Sequence, residues 1–282
     1  MRISARTDTG KVRRRNEDRF IVCSSVAMKD WSFDPQTAVE LRPMGALLAV
    51  ADGMGGMSEG DTASRLAVEA IRAYFNGIAT LENQPENMIN ALKASIQYAH
   101  RSILSHQTRH PETEGMGTTI VVSWILNETA YIAWRGDSRG YLYHPRLAED
   151  KRRVSQLLDV KSLIAGNLLR LTKDHSYVQE LVDAGEIPIE QAFRHPYRNV
   201  ISKSLGDIGD GLPDIFSFDL QDGDRIMLCS DGLCGALADD QIGEIIGAHP
   251  DLEECVDALI SAANEASGDD NVTVAMAEAR LA

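Results

Sequence analysis

Basic residues are in short supply: 28 Lys and Arg stand against 42 Asp and Glu in 282 residues, a formal net charge of −14. A surface of that sign repels a phosphate backbone, so nucleic acid is excluded as a partner. Long apolar runs are missing too. No stretch reaches the roughly 18 apolar residues needed to cross a bilayer, and Met1 to Arg6 has no apolar leader core, so a cytoplasmic protein is expected. There are only four cysteines, Cys23, Cys229, Cys234 and Cys255, with no Cys-x-x-Cys spacing. That sets aside a zinc or redox pair and leaves them as small hydrophobes. Repeats and low-complexity linkers are absent as well, and 44% hydrophobic content can fill one large core, so residues 1–282 are expected to form a single domain.

What is present is a series of short, β-branched apolar runs: Gly45 to Ala51, Thr118 to Leu126, Thr129 to Trp134, Ile215 to Leu220, Arg225 to Cys229 and Asn271 to Ala277. They read as buried strands, with Asn127-Glu128 as a two-residue hairpin turn. Asp61 to Phe75 and Glu86 to Ser105 carry one apolar face at helical spacing, and Asp239 to Ala248 and Leu252 to Ala266 form a second helical pair broken at Pro250. Strands interleaved with helix pairs predict an α+β sheet assembly with helices outside. Embellishments are expected at 24–43 and 145–167, and a flap over a site at 174–196. The basic run Lys151-Arg152-Arg153 reads either as a solvated face or as a partner-docking element.

Four of the runs end on an acid beside a glycine or an amide: Ala51-Asp52-Gly53-Met54-Gly55-Gly56, Gly136-Asp137-Ser138-Arg139, Ser230-Asp231-Gly232 and Asp269-Asp270-Asn271. Carboxylates gathered on rigid strand ends repel one another unless a hard divalent cation takes them as oxygen ligands.

These four motifs, joined in order by Lys11-Val12-Arg13-Arg14-Arg15-Asn16-Glu17-Asp18, Gly117-Thr118-Thr119 and Leu171-Thr172-Lys173-Asp174-His175, resemble the type 2C (PPM) family of metal-dependent Ser/Thr protein phosphatases in its bacterial form. The resemblance spans nearly the whole chain. It implies a four-layer αββα sandwich, two antiparallel β-sheets flanked by pairs of antiparallel helices, and two or three Mn²⁺ or Mg²⁺ ions. It implies hydrolysis of phosphoserine and phosphothreonine through a metal-activated bridging water, reversing a Ser/Thr kinase in bacterial signalling, by a monomer.

By the same resemblance Asp52 bridges two ions, the Gly53 carbonyl ligates the first, and Asp231 and Asp270 hold the second. Asp137 either binds a third ion or is a structural turn. Glu17 and Asp18 hold metal-bound waters from outside the ligand shell, Asn271 orients Asp270 through an amide hydrogen bond, and Arg13 grips the substrate phosphate. Thr118 and Thr119 are packing residues near the metal floor and not nucleophiles. Where bacterial members continue with a histidine, this chain has Met57, and a thioether cannot donate a proton to a departing alkoxide. Either His175, His195 or a metal-bound water would then serve, the histidines otherwise being flap residues. The competing reading is a pseudophosphatase or regulatory phosphoprotein-binding module, against which Asp52, Asp231 and Asp270 all stand.

Overall fold

The run from Ala46 to Ala51 is fully buried without a polar break because the strand it forms is covered on both faces. The computed structural model describes residues 1–33, 44–55, 59–78, 84–157, 164–193 and 195–280. Met57 lies outside the described residues, as do 34–43 and 158–163 of the expected embellishments and position 194 of the flap.

The strands are β1 (Arg2–Asp8), β2 (Asp18–Cys23), β3 (Ala46–Met54), β4 (Gly117–Thr118), β5 (Ile120–Leu126), β6 (Thr129–Arg135), β7 (Arg139–Tyr143), β8 (Ile164–Ala165), β9 (Leu168–Arg170), β10 (Asp214–Asp219), β11 (Arg225–Cys229) and β12 (Val272–Glu278). They build two antiparallel sheets, in the orders β1-β12-β11-β7-β9-β8 and β10-β6-β5-β3-β2, with β4 paired to β3. The helices are α1 (Glu59–Gly77), α2 (Pro85–Arg109), α3 (Lys151–Leu157), α4 (Tyr177–Asp183), α5 (Ile189–Ala192), α6 (Asp231–Cys234), α7 (Asp239–Ala248) and α8 (Leu252–Ala266).

Period-two alternation sorts each strand between layers. On β3, Leu47, Ala49 and Ala51 pack with Ile71, Leu92 and Ile96 of α1 and α2, while Leu48 and Val50 face the other sheet and meet Ile226, Leu228 and Ala275. On the far side Met227, Cys229 and Met276 pack under Ile242, Ile246 and Leu259 of α7 and α8. This is the expected αββα sandwich. The β5–β6 hairpin turns on Asn127-Glu128 as its spacing predicts, with Asn127 at φ 55°.

The basic run differs from expectation. Lys151 and Arg152 are exposed, but Arg153 is buried and clasps the fully buried Asp224 with both ends of its guanidinium, one bond at 2.8 Å. The reason is positional: α3 lies on the turn between β10 and β11, and its inward face meets a buried carboxylate that needs a counter-charge.

Candidate active site

Asp52 sits near the end of β3, directly opposite Asp18 in the β2–β3 pairing. Its backbone is fixed from both sides. The Thr119 N–H and the Thr118 hydroxyl donate to its carbonyl at 2.9 and 2.7 Å, and its own N–H donates to Thr119 Oγ1 at 3.0 Å. The threonine hydroxyls are thus spent on positioning Asp52. Gly53 owes its identity to crowding: a Cβ there would lie 2.1 Å from the Gly60 carbonyl oxygen at the start of α1, so a side chain would push that helix off the site.

Asp231 opens α6 immediately after β11. The preceding Ser230 donates its hydroxyl to Asp18 Oδ2 at 2.6 Å, and Thr273 on β12 adds a second bond at 2.7 Å. Asp18 is therefore held by Ser230, at the junction of β11 and α6, and by β12 of the opposite sheet, which ties the layers together beside Asp52 and Asp231. The sequence assigns neither hydroxyl a role, although Ser230 opens one motif and Thr273 stands two residues after Asn271 in another. Asp137 follows β6 through Gly136, whose φ is +120° and whose backbone runs so close to Thr119 that a Cβ there would lie 2.6 Å from the threonine side chain. Only glycine can make that passage.

The electrostatics of these acids are unusual. Asp18, Asp52, Asp137 and Asp231 are all pushed upward from the ordinary carboxylate value, first by burial and then by neighbouring carboxylates, Asp231 acting on the other three and Asp270 on Asp231, and Asp18 reaches about 7. One oxygen each of Asp18, Asp137 and Asp231 is buried with no hydrogen-bond partner, an arrangement that costs free energy unless something positive meets it. Hard carboxylate oxygens of this kind suit Mg²⁺ or Mn²⁺. Among the described residues no three acidic, histidine or cysteine side chains are grouped so as to hold an ion as they stand. Asp270 is already engaged, its Oδ2 taking a 2.8 Å bond from Arg13.

A pH signature follows. For an acid raised in the fold, the stability gained from keeping its proton is fully present below the unfolded value, near 3.8, and is lost as pH rises through the folded value, here about 7 for Asp18. Cation-free protein should melt at a lower temperature at pH 8 than at pH 5, and Mn²⁺ should raise the pH 8 melting temperature far more than the pH 5 one. Thermal unfolding at both pH values, with and without Mn²⁺, checks this.

Other candidates fall differently. Asn271 does hold Asp270, but through its backbone N–H at 2.8 Å. Its side-chain amide instead fastens the loop that carries Arg13, accepting from the Glu17 N–H and donating to the Thr9 and Arg15 carbonyls. Glu17 is half-buried and its carboxyl is pushed upward by burial. His175, a candidate general acid, is buried and already engaged. Its Nδ1 accepts from the Gly136 N–H at 3.1 Å and its Nε2 lies 3.2 Å from Asp214, with the ring stacked on Trp134. Both nitrogens are engaged, so the ring buttresses the Gly136–Asp137 segment. His195 Nδ1 accepts from the Tyr197 N–H.

Known proteins share this fold. A model of the family described as protein phosphatase 2C matches residues 36–277. The serine/threonine phosphatase stp of Listeria monocytogenes is 32% identical over 281 residues, taking in 100% of this chain and 97% of that one. The crystal structure of the Mycobacterium tuberculosis serine/threonine phosphatase PstP/Ppp superposes with a TM-score of 0.77 at 32% identity, covering 99% of each chain. The catalytic domain of PstP in complex with two manganese ions gives a TM-score of 0.73 at 30% identity, covering 99% of this chain and 98% of that one. Sequence, fold and the family model agree along almost the full length, and this chain belongs to the protein phosphatase 2C family.

Proposed function

We propose that residues 1–282 form a single domain that removes phosphate from phosphoserine and phosphothreonine in proteins, working with two Mn²⁺ or Mg²⁺ ions as a cytoplasmic monomer that reverses a Ser/Thr kinase. The observation that carries this reading is the set of buried acids, three with unpartnered oxygens, beside a solvent-facing arginine. The described helices include none long and apolar enough to cross a membrane.

Asp52, the Gly53 carbonyl, Asp231 and Asp270 are the groups that would hold the ions, with Asp137 available to a third. When bound, the cations supply positive charge for the phosphate and acidify water so that a nucleophile exists at neutral pH. Asp18, anchored by Ser230 and Thr273, keeps a lone-pair donor aimed into the site, and Glu17 adds a second carboxylate at its edge. Arg13 is half-exposed and bound to Asp270 by a single ion pair, an interaction worth little in water. It can therefore exchange that partner for a substrate phosphate, which its planar fork grips through two oxygens.

The test is hydrolysis of p-nitrophenyl phosphate and a phosphothreonine peptide with Mn²⁺, before and after EDTA. Turnover of both that EDTA abolishes is expected. Phosphopeptide binding with no turnover at any Mn²⁺ concentration would move the chain to the pseudophosphatase reading.

A further inference from the structure

Next to the acids a cleft of about 510 Å³ runs beside α4 and α5, and Asp137 and Asp231 form one end of its wall. Its size falls in the range of true ligand sites. Much of the rest of the lining is apolar: Val178 of α4, Ile189 and Ala192 of α5, Phe193, and Leu237 ahead of α7. Phe193 is 47% exposed, so its ring stands at the rim with a face unburied.

Part of the charge in this cleft is paired among its own residues. Arg139 grips Asp174 with three bonds, at 2.9, 3.2 and 2.7 Å, and lies 3.7 Å from Asp239. Asp239 also accepts from the Tyr141 hydroxyl at 2.8 Å. Apart from the two site acids, the lining sets Asp174, Asp239 and Asp240 against Arg139, Arg170 and Arg198. Arg198 and Asp240 form no ion pair among the described residues but are opposite in sign, so with three acids to three bases this lining favours neither charge, whereas a neutral apolar side chain loses only its hydration.

We infer that this cleft is a specificity pocket, which takes an apolar side chain lying close to the phosphoresidue in the substrate chain. The inference rests on the phosphatase reading, since it is the shared wall of Asp137 and Asp231 that makes the occupant part of the substrate. Phe193 and Ala192 are the specificity-determining positions. Both lie at the end of α5, outside the two sheets, so they can differ without disturbing the acids.

The experiment compares phosphothreonine peptides of one scaffold carrying Leu, Ala, Asp or Lys at the positions flanking the phosphoresidue. It reads kcat/KM with Mn²⁺ and, separately, the affinity of matching phosphonate peptides by fluorescence anisotropy. The wild type should favour Leu over Ala, Asp and Lys by about tenfold at one flanking position, the scale on which an apolar pocket discriminates. Phe193→Ala, which removes a wall, and Ala192→Phe, which fills the cleft, should each erase most of that preference in both readouts. Equal rates and affinities across the four peptides, a preference for Asp or Lys, or a Leu preference intact in both variants would overturn the inference. Leu-selective binding without turnover would remove the phosphatase reading and leave the pocket standing.

Discussion

Asp52→Asn should lower Mn²⁺-dependent turnover by more than about 100-fold, and at the same time raise the melting temperature of the cation-free protein. Loss of a group that merely orients a ligand from outside the coordination shell costs about 10- to 100-fold, so loss of the proposed bridging ligand itself should exceed that range. Asp18→Asn should fall inside it, because Asp18, anchored by Ser230 and Thr273, would act from outside the ligand shell. The stability change has the opposite sign. Burial and the charges of Asp18, Asp231 and Asp137 all oppose ionisation of Asp52, and a neutral amide of the same shape removes that repulsion at neutral pH. A structural carboxylate would behave otherwise, since its loss lowers both activity and melting temperature. Paired assays of turnover and thermal unfolding separate the cases; a fall in melting temperature with activity retained would sink the assignment. Opposite signs are what a site that trades stability for chemistry produces.

How far the sequence discloses this molecule depends on which force places each residue. β3, β5 and β11 are legible because both of their faces are buried, which writes an unbroken apolar run into the chain. β1 is not, because it is an edge strand whose Arg2 and Arg6 reach out to Asp251 and Glu253 around the start of α8. β7 is hidden by Arg139 and Gly140. The arginine is partly buried but charged, and a Cβ on the glycine would lie 3.3 Å from side-chain methyls of Ile132 and Thr172. The acids of the site stand out through local motifs at strand ends. Partnerships across the fold do not. The amide of Asn271 finds its acceptors at Thr9 and Arg15, about 260 residues earlier, and the ring of His175 is consumed by Gly136 and Asp214. Residue type told which groups could ionise or donate, but only the packing of the two sheets determined whether a donor was still free.

The same distinction governs Arg153, where a surface-looking basic run conceals a core contact. Arg153→Ala should destabilise the protein by about 3–5 kcal/mol, because it strands the Asp224 carboxylate inside the fold without its counter-charge. Asp224 is 0% exposed and accepts a further bond from the Gln221 N–H at 2.7 Å, while its own carbonyl receives the Ala279 N–H. It therefore cannot turn out to water without opening the β10–β11 turn. For a chain of this length the cost corresponds to a fall of about 6–20 °C in melting temperature, at roughly 2–4 °C per kcal/mol. Substitutions at the exposed neighbours, Lys151→Ala and Arg152→Ala, should change stability by no more than about 0.5 kcal/mol. Replacing both partners together, Arg153→Met with Asp224→Leu, should recover most of the loss, since a packed apolar pair avoids the desolvation penalty that the ion pair only offsets. Thermal unfolding of the four variants decides the matter. If Arg153→Ala melts with the wild type, the run is the solvated face that its composition suggests; if the double variant is no better than the single one, the guanidinium is needed for its hydrogen bonds to this turn and not for its charge.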